Sequence, residues 1–477
     1  MKPALSLFLI GASLSWSAPF PPDDASPPSA MAAQFHSQAA GTSADPAVEQ
    51  WWRSFHDPEL DSLIERAVRA NLDLKIAASR LLEARAARGV ARADLLPSTE
   101  ASSSGQRVRG GLTQGIFRPN AGSQSSLLAP FETNIFQQGF DASWEIDFFG
   151  GKRHALEAAT ADVAATEDAR RDTLLSLLAE VARNYSELRG TQRRLEIAGN
   201  NIDLQTDTLG LTKVRAEAGL GTELDVARQA SQLAATEAMV PALESARQMS
   251  IHRLSVLLGE EPAALADELT EAKPLPATPP VVPVGLSSDL LRRRPDVRRA
   301  GAEVAAASAR VGVARSDFFP KITLIGSAGR QGTSFSGLTL GAGNFFAVGP
   351  AIKLPIFTGG RIKAEVTKSD LELQKLEQQK DDLRNQIALD VKTSLLNLQS
   401  ARNEVQVANL GVQLARQEVD QARDRFRAGV ANNIEVISAQ DSLSRANDNQ
   451  IAALYRFNQA RADYARAIGQ MEKTYAK

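Results

Sequence analysis

The residues that most often carry chemistry are sparse and scattered in this chain. Its four histidines, His36, His56, His154 and His252, include no two at ligand spacing on one helical turn, so neither a zinc nor an iron site is expected. There is no cysteine, which excludes disulfides, a thiol nucleophile, thiolate-held clusters and acylation on cysteine. Gly341-Ala-Gly343 has no helical pattern after it and does not read as a phosphate-cradling loop. No Ser-His-Asp order emerges. The chain is therefore read as no enzyme, with no cofactor and no metal. The formal net charge of −2 and pI near 6.2 provide no basic face, so no nucleic-acid partner is expected.

Two carboxylates stand out by position. Asp225 and Glu435 each follow a Gly turn, at matching points of an internal repeat. Equivalent acids from several copies would ring a narrow opening and favour cations or polar solutes. Helix-start acids that complement the helix dipole would look the same, and both readings stay open.

The elements that must position them are written twice. Asn71-Leu-Asp73 precedes Leu95-Leu-Pro97 by 24 residues, and Arg294-Pro-Asp296 precedes Phe318-Phe-Pro320 by the same 24. Between them Ala84-Arg-Ala86 and Val90-Ala-Arg92 resemble Ala309-Arg-Val311 and Val313-Ala-Arg315. Phe148-Phe-Gly-Gly-Lys152 matches Phe357-Thr-Gly-Gly-Arg361, and the run Arg215 to Val226 matches Arg425 to Val436. The repeats are placed at 48–270 and 285–477, joined by a Pro-rich linker over 271–284. Each half reads helix, strand, long loop, strand, Gly-Gly, very long helix, Gly turn, helix.

No proline occurs from Phe131 to Val240 or from Ile356 onward. Lys152 to Ala218 and Arg361 to Ala428 can each run as one helix of ~100 Å at ~1.5 Å per residue. Val405, Ala408, Val412, Ala415, Val419, Ala422 and Phe426 form a heptad seam on the second. Helices that long must pack lengthwise against others. Pro241, inside a helical stretch, predicts a kink. The Gly turns Gly219-Leu220-Gly221 and Gly429-Val430-Ala431 end the long helices.

Before each Gly-Gly pair lies an alternating run, Ser143 to Phe148 and Val348 to Ile356. Period two with one greasy and one polar face suits a barrel strand between lipid and water. Weaker partners are Ser98 to Val108 and Lys321 to Arg330. The stretches from Arg109 to Gly139 and Gln331 to Phe345 read as exposed loops. Gly150-Gly151 and Gly359-Gly360 mark the strand–helix joints. Lys2, the apolar run Ala4 to Leu14 and small residues at Ser15, Ser17 and Ala18 predict a signal peptide over 1–18, followed by a loose lead-in over 19–47. No later run approaches the ~20 apolar residues of a membrane helix, so a span must be a closed barrel. Four strands per chain cannot close one, and about eight give a filled interior, so three or more copies must share a barrel.

At Trp51-Trp-x-x-Phe55-x-Asp57-Pro-x-Leu60, Asn71-Leu-Asp-Leu74, Ala84-Arg-Ala86, Asp147-Phe-Phe-Gly-Gly-Lys152, Leu291-Arg-Arg-Arg-Pro-Asp296, Phe319-Pro320 and Arg427-Ala-Gly-Val430 the chain resembles the TolC-like outer-membrane efflux proteins, in their NodT-type branch. The resemblance covers about residues 48 to 470. It implies a mainly α fold with a membrane β-barrel: a homotrimer whose twelve strands form one barrel in the outer membrane, continuous with a periplasmic α-barrel. It implies passage of drugs, toxic compounds or metal ions from an inner-membrane RND-type pump and a periplasmic adaptor (membrane fusion) protein. The alternative within the family is a channel for type I protein secretion. The turns it places at the periplasmic tip assign Gly219, Leu220, Gly221, Gly429 and Val430 to adaptor contact; if Asp225 and Glu435 ring a periplasmic gate, Phe426, Arg427 and Ser438 are expected in its closing contacts. Two departures are visible: the acylated cysteine usual in this branch is absent, and Ser438 stands where the family often carries an Asp.

Overall fold

The structure, a computed structural model, describes residues 42–43, 51–110, 131–276, 282–283, 294–334 and 343–469. The expected signal peptide and most of the lead-in lie outside the described residues.

In chain order the elements are β1 (Thr42–Ser43), a 3-10 turn (Trp51–Phe55), α1 (Pro58–Ala70), α2 (Leu72–Ala93), β2 (Ser98–Gly110), β3 (Phe131–Ile146), α3 (Gly151–Glu217), α4 (Glu223–Glu237) and α5 (Val240–Leu257). There follow α6 (Ala266–Leu269), β4 (Val282–Pro283), α7 (Pro295–Ser316), β5 (Lys321–Gly332), β6 (Gly343–Lys353), α8 (Arg361–Arg427) and α9 (Asn433–Ala467). The long helices α3 and α8 have 67 residues each. Among the described residues no helix is long and apolar enough to cross a membrane.

The large sheet is antiparallel, in the order β2-β3-β5-β6. Its register sorts the side chains by face. Phe140, Ala328 and Phe346 lie opposite one another, as do Ala142, Gly326 and Val348, and Ile146, Ile322 and Ile352. Trp144 and Leu324 share that apolar face. The other carries Glu100, Asp141, Glu145, Thr323, Lys321 and Lys353. On it Ser102 donates to Asp141 Oδ2 at 2.7 Å. Phe346 is 85% exposed and Ile352 67%, an arrangement that water does not favour and lipid does.

The strands are longer than the alternation predicts. Arg109 and Gly110 belong to β2, and Phe131 to Gly139 belongs to β3, where a loop was expected; β5 likewise runs to Gly332 and β6 starts at Gly343. Asn134, Gln137 and Gln138 gave this part of β3 a loop-like composition, yet it holds full register with β2. At the other end the strands are shorter: β3 stops at Ile146, and β6 at Lys353, just before Pro355, which cannot donate to a ladder.

Gly139 and Gly329 face each other across β3 and β5. A Cβ on Gly329 would come within 2.3 Å of the Gln138 carbonyl, and one on Gly139 within 2.5 Å of the Ala328 carbonyl. Backbone leaves no room there, so Gly329→Val is expected to part the two hairpins. The readout is loss of the heat-modifiable band in unheated detergent electrophoresis.

The helices line up beside one another. α4 and α5 pack on α3, α3 on α9, and α9 on α8; above them α2 packs on α3, and α7 on both α3 and α8. Of the heptad seam, Val405, Val412, Ala415, Val419, Ala422 and Phe426 are buried, and Ala408 packs half-buried beside them. One core joins Trp51, Trp52 and Phe55 to α1, α3 and α5, with Trp51 edge-on to both neighbours at 6.1 Å between centroids. Around Pro241 the helical hydrogen-bond ladder is interrupted, while Ala238 and Met239 keep right-handed helical angles. The ladder restarts with the proline in the first turn of α5, where its missing N–H goes unneeded.

Candidate functional site

The far ends of the long helices are built alike. Gly219 (φ 74°) and Gly429 (φ 77°) take the left-handed conformation. Leu220 N donates to the Arg215 carbonyl at 2.8 Å and Gly219 N to that of Ala216 at 3.0 Å. Val430 N donates to the Arg425 carbonyl and Gly429 N to that of Phe426, both at 3.0 Å. Each is a Schellman cap, which only glycine enters without strain. The caps push Leu220 and Val430 outward, 71% and 68% exposed, beside exposed Gly221.

The next helix starts are capped differently. Thr222 Oγ1 accepts from Asp225 N at 3.2 Å, and Asp225 Oδ2 accepts from Thr222 N at 3.1 Å and Thr222 Oγ1 at 2.7 Å. This capping box holds the Asp225 carboxyl below its usual 3.8, chiefly through the Thr222 hydroxyl. The ionised form is the one held. Its contribution is therefore full above the ordinary carboxylate value and lost as pH falls through the lowered one. In the second hairpin Asn432 Oδ1 accepts from Glu435 N at 3.1 Å, and the Glu435 carboxylate pairs with Arg425 at 3.3 Å. Helix capping thus accounts for the local bonds of Asp225, while Glu435 is held by a cation.

Phe426 is buried in a cluster with Val419, Ala422, Ala431, Val436 and Ala439. The Arg215 guanidinium lies 4.5 Å from its ring centroid and donates to its carbonyl at 3.0 Å. Arg427 is exposed beside Asp424 at 3.8 Å, and Ser438 is exposed. Sequence reasoning singled out neither Arg215 nor Arg425, although the repeat aligned them. Arg215 reaches across to the other hairpin, whereas Arg425 stays within its own.

At the joints, Gly150 (φ 80°) and Gly360 (φ 84°) are the N-caps of α3 and α8, and Gly359 is also left-handed (φ 58°). Gly151 fits for a different reason: a Cβ would meet Ser316 Oγ at 2.5 Å. Beside the first joint Phe149 stacks on Phe319 at 4.7 Å, and Trp144 Nε1 donates to the Leu95 carbonyl at 2.9 Å. Among the described residues no group of three metal-ligating side chains converges.

A sheet greasy on one face, hairpins of very long helices and twin capped tips are an architecture that known proteins share. The family model described as "Outer membrane efflux protein" matches residues 63–260 and 286–470. The chain belongs to the outer membrane efflux protein family. This efflux protein is 31% identical to the pyoverdine export outer membrane protein OpmQ of Pseudomonas aeruginosa, over 97% of the chain and 94% of that protein. It is 29% identical to nodulation protein T of Rhizobium leguminosarum bv. trifolii, over 95% and 92%. It is 31% identical to the toluene efflux pump outer membrane protein TtgC of Pseudomonas putida, over 89% and 87%. Among solved structures the outer-membrane channel OprN superposes with a TM-score of 0.85 at 28% identity, covering 94% of this chain and 98% of that one. The outer membrane protein VceC of Vibrio cholerae, at 24% identity and a TM-score of 0.77 over 90% and 100%, shares the fold. The efflux protein is thus an outer-membrane channel of the TolC-like, NodT-type class, reaching into the periplasm of a Gram-negative cell. Family members are channels, not enzymes. The protein-secretion alternative finds no support among these relatives.

Proposed function

We propose that three copies of the efflux protein join head to tail around one bore, forming a twelve-stranded barrel in the outer membrane above an α-barrel in the periplasm. The observation that carries this reading is the coincidence of free edges. The sheet ends at β2 on one side and β6 on the other. The helical layer ends on one side at α2, which runs directly into β2, and at α4 and α5, which pack on α3, and on the other side at α8, which follows β6 directly. An open strand edge is intolerable in lipid, so the β6–α8 side of one copy must cover the β2–α4–α5 side of the next. Two copies give eight strands and a filled interior; three give a conduit. Outer-membrane lipid meets the apolar sheet face. Native mass spectrometry in detergent is expected to find three chains per particle, and planar bilayers to show discrete conductance. A monodisperse single chain without channel activity would overturn the proposal.

In this reading the efflux protein is the exit duct of a tripartite pump. An inner-membrane RND-type transporter and a periplasmic adaptor deliver drugs, toxic compounds or metal ions to it. Its repeats at 48–270 and 285–477 supply the two halves of each third of the wall. Exposed Leu220 and Val430, on the turns of Gly219, Gly221 and Gly429, meet the adaptor. Asp225 and Glu435, with Phe426, Arg427 and Ser438 nearby, line the closing end. Gly150, Gly151, Gly359 and Gly360 let the wall turn from strand to helix.

Arg215 ties the two hairpins of one chain together, and cutting that tie loosens the closed end. Arg215→Ala is expected to raise single-channel conductance several-fold. Asp225→Ala with Glu435→Ala is expected to raise conductance or alter cation selectivity. Unchanged conductance and selectivity in both variants would remove the gate from the tips.

A further inference from the structure

The fully buried guanidinium of Arg461, on α9, has no hydrogen-bond partner at Nε, Nη1 or Nη2. One turn earlier Asn458, 2% exposed, has both carboxamide atoms unpaired. The pairs Arg456–Glu404 and Gln450–Asn409 fix the level of α8 beside this point, and the same level holds Gln399, whose Nε2 is also unpaired. Burial pulls Arg461 down to about 10, opposed by Tyr464 alone, so it stays cationic at neutral pH. Among the described residues no carboxylate acts on it.

The first half of the chain solves the same problem differently. There the equally buried Arg189 pairs with Glu59 and donates to Gln192 Oε1 at 2.6 Å and the Glu271 carbonyl at 2.9 Å. The 210 residues separating Arg215 from Arg425 put Gln399 at the place of Arg189, and Arg461 at that of Ile251. The 223 residues separating Asn71 from Arg294 put Val282 at the place of Glu59. Among the described residues the second half thus carries its buried cation on the neighbouring helix, with no carboxylate beside it.

An isolated charge in a packed interior needs compensation. Arg461 offers five N–H donors and Asn458 two, against one carboxamide oxygen, so the unmet need is for an acceptor. Phe457, Ala462, Tyr464 and Ala465 on the same helix are all 1% exposed or less. Packing that dense excludes a many-atomed ligand. We infer that Arg461 and Asn458 bind a small monovalent anion of the halide class, which replaces the missing carboxylate at the level of Gln399.

The test uses the full-length protein in detergent. Its thermal midpoint is expected to climb by a few degrees when chloride replaces gluconate, an anion too bulky to enter, at equal ionic strength. Arg461→Met is expected to make the midpoint indifferent to chloride. Should that variant not fold, Asn458→Leu serves in its place and is expected to blunt the chloride response. Wild-type crystals soaked in bromide are expected to show an anomalous peak beside Arg461. A wild-type midpoint indifferent to chloride, an undiminished response in the variant that folds, or the absence of a bromide peak there would each overturn the assignment.

Discussion

Glu59→Ala is expected to destabilise the protein by about 3–5 kcal/mol, the usual effect of stripping a buried cation of its partner. The Arg189 side chain is fully buried and that of Glu59 is 11% exposed, so solvent screens the pair little. Glu59 Oε2 accepts from Arg189, from Lys273 Nζ at 3.0 Å and from the Tyr185 hydroxyl at 3.3 Å. Arg189 also lies 4.9 Å from the Tyr185 ring centroid. Burial, then the bond to Asp57, pushes the Tyr185 hydroxyl far above its ordinary 10.0, so it stays a neutral donor and cannot stand in for the lost base. Exchanging both partners, Glu59→Ala with Arg189→Met, is expected to recover much of the loss, because the stranded charge is then gone. Thermal midpoints of wild type, both single variants and the double form the cycle. A Glu59→Ala midpoint equal to wild type would mean that the pair contributes nothing.

In the proposed trimer, lysine at Leu396 and Leu410 is expected to abolish assembly. The buried seam of α8 faces α9, and on its far side lies a second apolar stripe: Leu389, Leu396, Val407, Leu410 and Leu414, each between 55% and 72% exposed. Opposite, on the other free side, α4, α5 and the break between them expose Leu224, Met239, Met249 and Val256. A stripe along a helix of 67 residues is more apolar surface than a lone subunit leaves to water. Each lysine must be stripped of water at all three contacts, at a cost of several kcal/mol apiece. Cross-linking in detergent and the mobility of unheated samples read the outcome. Trimers that survive both lysines would place the contact on a different face.

Much of this was legible in the sequence, for a physical reason. Long helices and seams are periodic, and Val405 to Phe426 spells its burial in steps of three and four. Gly219 and Gly429 are turns that no other residue enters without strain. The hidden parts obey no local period. Asn134, Gln137 and Gln138 read as loop because this end of β3 carries polar residues on both faces, and only its pairing with β2 reveals it. Pro241 marks an interruption of the helix in the sequence, but only the fold shows that it falls in the first turn of α5. The bond from Arg215 to Phe426 joins residues 211 apart in sequence, so only the fold reveals it, whereas the caps on Asp225 and Glu435 lie three residues away.

The unequal fates of Arg215 and Arg425 carry a mechanical implication. In the proposed ring of three copies the six tips would be built alike, but Arg215 ties each first tip to the second tip of its own chain, while Arg425 pairs within its own hairpin. Such a ring would have the symmetry of a three-leaved iris, not a six-leaved one, each leaf being a tied pair of tips. Its aperture would widen along three radial directions and stay pinned along the three between them.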